Sequence, residues 1–166
     1  MMNYKLETQE YYKIKTPWNN PYKEPTGMHN GYLKIGVLVE KECFSNGCAA
    51  TVDVSYPSIP MFLIYNPELV KGMMRPVFRY AKSDAWVFDF APHDVGCYPL
   101  VNGQRYGHSS IDNQMSYEKQ MPVEECGNML VMEAAVALAT NDTSFANQHM
   151  DDLKQWVKYL IDNGRD

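Results

Sequence analysis

Two adjacent carboxylates stand in Met121-Pro122-Val123-Glu124-Glu125-Cys126-Gly127-Asn128-Met129, directly ahead of an almost wholly apolar stretch. Proline followed by acids and then apolar residues is a helix start. Acidic side chains are rare inside proteins unless paired or at work. A helix N-terminus is the one helical location that stabilises them, through its unpaired N–H groups and macrodipole. About thirty residues upstream, Ala91-Pro92-His93-Asp94-Val95-Gly96 places a second acid in what reads as a loop. If the fold joins the two, they line a cleft with carboxylates. One carboxylate then deprotonates water, while another, kept neutral by burial and a charged neighbour, protonates the leaving group. That chemistry is hydrolysis. An amide would release ammonia and a glycoside a sugar oxygen, and the spacing does not separate them.

Each of these residues also has a plainer reading. Glu124 and Glu125 are ordinary first-turn acids on a solvated helix end, and helical geometry turns adjacent residues by about 100°, so only one would face a cleft. Asp94 can make an Asx-turn ahead of Gly96, with His93 structural. Asn128 reads as a buried helix–loop hydrogen bonder, and Trp86 and Tyr106 either line a pocket or fill space. Ser116-Tyr117-Glu118-Lys119 fits the S-x-x-K pattern of serine β-lactamases, but it lies in a polar loop with no helix to hold Ser and Lys one turn apart. It is set aside.

Four cysteines, Cys43, Cys48, Cys97 and Cys126, form no C-x-x-C pair, and His29, His93, His108 and His149 are not spaced near them as zinc ligands. Neither a metal nor another cofactor is expected. Cys43 and Cys48 flank Ser45-Asn46-Gly47 and would bridge that turn in an exported protein. Cys126, inside an apolar helix, reads as a buried thiol.

Helices must position these groups. Residues 1–31 are polar and broken by Pro17, Pro21, Pro25, Gly27 and Gly31, and Leu33, Ile35, Val37 and Val39 then alternate as in a strand. Residues 59–65 are wholly apolar, too short a run to type by periodicity. Asn66-Pro67-Glu68 starts a helix with Asn as N-cap, and Leu69, Val70, Met73, Met74, Val77, Phe78 and Ala81 follow at helical spacing, with Pro76 expected to kink it. Residues 83–120 form a long aromatic connection of the kind that carries function, with a brief strand suggested by Trp86, Phe88 and Phe90. Pro122 opens a helix to about Ala139, apolar on every side and so expected to be buried. A last, amphipathic helix over 144–162 carries Phe145, His149, Leu153, Trp156, Val157, Leu160 and Ile161 on one stripe. An inner helix paired with an outer one is the unit of α/α toroids, and 59–82 reads as an earlier hairpin of the same kind.

Composition sets the outer bounds. The 166 residues suit one domain, and 45% hydrophobic with 21% charged residues is globular. A net charge of −5 without any Lys/Arg cluster argues against nucleic acid. No apolar run approaches a membrane span, so no membrane partner is expected, and the first residues lack the apolar core of a signal peptide.

Several stretches resemble one family, the six-helical-hairpin domain of the glutaminase A family. They are Phe44-Ser45-Asn46-Gly47, Thr51-Val52-Asp53-Val54-Ser55-Tyr56-Pro57, Tyr65-Asn66-Pro67-Glu68-Leu69, the Ala91–Gly96 and Met121–Met129 stretches above, and Leu153-Lys154-Gln155-Trp156-Val157-Lys158-Tyr159-Leu160. They come in the family's order across about 40–166. The resemblance implies a mainly α, partial (α/α) six-hairpin toroid, akin to six-hairpin glycosidases, over 40–166, with 1–39 an irregular, partly β segment that does not match. It implies a fragment of a secreted, extracellular or periplasmic hydrolase that converts glutamine to glutamate and ammonia. A glycoside hydrolase on the same scaffold, or a non-catalytic truncated piece packing against missing domains, are the alternatives. Inner helices of a toroid run parallel, so Asp53 just before the first, Asp94 in the approaching loop, and Glu124 and Glu125 in the second would face one mouth. Glu124, Glu125 and Asp94 are then the expected catalytic residues. Asp53, His93, Trp86 and Tyr106 are the expected contacts to a small-molecule substrate, glutamine or a carbohydrate.

Overall fold

A computed structural model describes residues 47–97, 101, 103–104, 117 and 119–165. The 1–39 segment with its expected strand, Cys43 and Tyr106 lie outside the described residues. The described chain is helical: α1 (Val52–Tyr65), α2 (Pro67–Ala81), α3 (Pro122–Thr140), α4 (Ser144–Gln148) and α5 (Met150–Asn163). α3 packs against α1, α2 and α5, and α1 against α2, giving two helical hairpins side by side.

α2 forms where its start signal stands. The Asn66 carboxamide accepts from the Glu68 N–H at 3.0 Å and Pro67 occupies the first turn. Val70, Met73, Met74, Val77 and Phe78 make the buried face. α1, by contrast, begins seven residues earlier than the apolar run at 59–65, so Asp53 lies in its first turn rather than ahead of it. Pro57 and Pro60 inside this helix hid the signal. Each lacks the N–H that would bond the carbonyl one turn back. Burial of Val52 and Ile59 and the packing against α2 and α3 hold the helix despite the lost bonds.

α3 differs from its expected all-round burial. Cys126, Met129, Met132 and Val136 are in the core, yet Val131 is half exposed and Leu138 is 84% exposed. Neighbours cover only part of its circumference among the described residues. Asn141, in the left-handed region at φ 51°, ends α3, and the Asp142 carboxylate accepts from the Ser144 N–H and hydroxyl, both at 2.8 Å. The expected single helix over 144–162 is broken at His149, whose backbone leaves helical geometry. There the imidazole stacks on Phe78 at 3.8 Å between centroids, and Phe78 stacks in turn on Trp156 at 5.2 Å. Removing either buried ring would cost about 3–5 kcal/mol.

The Trp86–Phe90 segment makes no strand. Its indole N–H donates to the Phe90 carbonyl at 2.9 Å and bends the segment back on itself. Trp86, Phe88 and Phe90 pack together, and Phe90 meets Tyr159 of α5 at 5.2 Å. No helix among the described residues is long and apolar enough to cross a membrane.

Candidate active site

Two short extended pieces bring the acids together. Residues 48–52 run antiparallel to 93–97: Ala49 N–H donates to Gly96 C=O at 2.9 Å, Val95 N–H to Ala49 C=O at 3.1 Å, and Val52 N–H to His93 C=O at 2.9 Å. The last bond ties the start of α1 to the His93 backbone. Asp53 therefore stands beside His93, and α3 begins at the same end, placing Glu125 there. One donor atom from each of Asp53, His93 and Glu125 falls within 4.8 Å of the other two.

Asp94 is fully buried and both its oxygens are committed. Oδ1 accepts from the Gly96 N–H at 2.8 Å, closing an Asx-turn, and Oδ2 lies 2.8 Å from His93 Nδ1. This contact orients His93 with Nε2 toward Asp53 Oδ1, 3.7 Å away. Gly96 is required by this turn: its φ is +113°, and an added Cβ would lie 2.3 Å from the Gly103 carbonyl oxygen.

Behind the loop lies a buried amide network absent from any motif. Gln104 donates from its side chain to the Asp94 carbonyl at 3.1 Å and accepts from Gln120 at 2.7 Å; its own N–H donates to the Tyr80 hydroxyl at 3.2 Å. Burial, with a further push from Asp94, raises the Tyr80 phenol to about 12. Nothing in the local pattern marked these two glutamines, because lone polar residues in a loop normally face water.

Glu125 is the most perturbed group in the site. It is fully buried, its Oε1 lacks a hydrogen-bond partner, and its Oε2 has only the Asn128 amide at 3.4 Å. Asn128 thus bonds within α3 rather than to a loop. Burial first, then the charge of Asp53, push the Glu125 carboxyl up to about 9, with smaller pushes from Glu124 and Asp94. These outweigh the first-turn dipole, which favours ionisation. Glu125 is therefore a neutral acid at pH 7. Its neighbour Glu124 is exposed, as the rotation between adjacent helical residues requires. Asp53 is the open member of the cluster, its side chain 32% exposed and one oxygen, Oδ1, buried without a hydrogen bond. Trp86 belongs to the aromatic core against α5 and not to this cluster.

Two carboxylates and an imidazole backed by a third carboxylate also make a donor set of the kind that holds a divalent cation. Glu125 would have to shed its proton to serve as a ligand, and the burial that raises its carboxyl opposes this.

The sequence profile of the Glutaminase A six helical-hairpin domain matches residues 28–166. The chain belongs to this family. It is 36% identical over 124 residues to "Glutaminase A" of Aspergillus oryzae, covering 74% of this chain and 17% of that protein. It is also 36% identical over 101 residues to "Probable glutaminase" of Arthroderma benhamiae, 60% of this chain and 11% of that one. The chain thus spans less than a fifth of the length of either glutaminase relative. No solved structure matches it. The helical hairpins described above agree with the family's six-hairpin architecture.

Proposed function

We propose that this chain carries the acid–base site of a glutaminase, hydrolysing the side-chain amide of glutamine to glutamate and ammonia. The observation that carries the reading is Glu125: a fully buried carboxylic acid, held neutral, with one oxygen lacking a hydrogen bond and a carboxyl oxygen within 4.8 Å of Asp53 and His93. Such a group is a proton donor waiting for a leaving nitrogen. Asp53, partly open to solvent, is the base. It takes a proton from the attacking water as the new C–O bond forms at the amide carbon. Glu125 then gives its proton to nitrogen as the C–N bond breaks and ammonia leaves. The carboxylate left on Glu125 and the proton held by Asp53 restore one another through solvent. His93, held by Asp94, borders the Asp53 carboxylate with Nε2 3.7 Å from Oδ1; Asp94 is a positioning residue. Glu124 supplies negative charge at the rim that keeps Glu125 protonated.

The direct test follows ammonia from glutamine, and reducing sugar from glycosides, for the wild-type chain and Glu125→Gln. Ammonia release lost in the variant supports the reading. Sugar release in place of ammonia moves the substrate class to glycosides. Neither product, from a folded chain, removes catalysis from it.

A further inference from the structure

The geometry points to a disulfide between Cys48 and Cys97 that clasps the site in an oxidising compartment. The two thiols are 49 residues apart in sequence, and their sulfurs lie 4.0 Å apart. Cys48 and Cys97 form an antiparallel bridge, and the Ala49 N–H to Gly96 C=O bond beside it identifies the pair as the non-hydrogen-bonded kind. Such pairs hold their Cα atoms closest, at about 4.5 Å, which is inside the span a disulfide accepts. Side-chain rotation with a small approach of the two extended pieces closes the remaining gap to an S–S bond of about 2.0 Å. The turn-bridging alternative, Cys43 with Cys48, competes for the same sulfur.

The bridge would sit one residue outside the hydrogen bonds that place Asp53 beside His93 and Asp94. Cys97 is partly exposed and Cys48 is buried. A small disulfide such as oxidised glutathione therefore reaches Cys97 first. The Cys97 thiolate attacks one sulfur of that disulfide, forming a mixed disulfide and expelling one thiolate, which takes up the Cys97 proton. The Cys48 thiolate then attacks the Cys97 sulfur and expels the second thiolate, which takes up the Cys48 proton. Two cysteine thiols are oxidised to one disulfide, and one glutathione disulfide is reduced to two thiols.

The full chain is incubated with oxidised glutathione, its thiols are counted after denaturation, and a non-reducing digest is mapped by mass. The expected result is loss of two of the four thiols, a cross-linked Cys48–Cys97 peptide, and a melting temperature raised on the order of 10 °C, reversed by dithiothreitol. Cys43→Ser should behave as wild type. The double variant Cys43→Ser/Cys97→Ser should keep its two remaining thiols and show no response to reductant. Four thiols surviving in oxidised wild type, or a Cys43–Cys48 peptide from it, would each overturn the proposal. Peptide mapping of the wild type decides the matter even if a variant does not fold.

Discussion

Glu125→Gln separates folding from chemistry at a single carboxyl. In the folded chain burial and Asp53 hold this group protonated up to about pH 9, while in the unfolded chain it ionises near its ordinary 4.5. Between those two values the folded state binds one more proton than the unfolded state. Stability therefore falls as pH rises through that window, by about 1.4 kcal/mol per pH unit, and is level outside it. The whole drop amounts to several kcal/mol, a large share of what holds a domain of this size together. Glutamine copies the shape of the neutral acid and cannot ionise, so the variant lacks this slope and gains on the wild type steadily with pH. Urea unfolding followed by fluorescence of the three tryptophans, at steps from about pH 5 to 9, reads the difference directly. At pH 7 hydrolysis should fall about 10²–10⁴-fold for want of the proton, with the fold intact. Asp53→Asn removes the second cause of the shift and should move the upper end of the slope to lower pH. Parallel stability curves for wild type and Glu125→Gln would show that the folded carboxyl is ionised. The proton-donor role would then end.

Glu133, buried in α3 with neither oxygen hydrogen-bonded, is raised by burial to about 7 against a nearby Lys71, so Glu133→Met should stabilise the chain, and by about 3 kcal/mol or less more at pH 8 than near pH 4 in chemical denaturation. His149 titrates with the opposite sign. Burial, helped by Lys82, Arg75 and Arg79, lowers its imidazole to about 4, so stability should fall as pH drops from about 6.5 toward 4, and His149→Gln should abolish that slope. Gly96→Ala should lower stability by at least about 2 kcal/mol and hydrolysis with it, since the added methyl meets the Gly103 carbonyl and a positive φ disfavours any side chain; melting and ammonia assays that match wild type would refute the role of this turn.

Legibility in the sequence followed the range of the interactions. α2 and the start of α3 were readable because their signals are local: Asn66, Pro67 and Glu68 in one case, Pro122 with two acids in the other. Both acidic stretches were also visible, as rare charges beside apolar runs. Local rules failed where neighbours overrode them. Pro57 and Pro60 argue against a helix that packing on α2 and α3 sustains, and a helix whose periodicity runs through His149 is broken there, where the imidazole stacks on Phe78. Whether Glu124 or Glu125 turns inward depends on where α3 lies against α1, which no nine-residue window encodes. The shift of the Glu125 carboxyl by Asp53, the glutamine pair behind Asp94 and the meeting of Cys48 with Cys97 all join residues far apart in the chain. The sequence by itself determined which side chains were available and where the helices could start. Only the tertiary structure decided which carboxyl lost its water, because burial and proximity are properties of the packed chain as a whole.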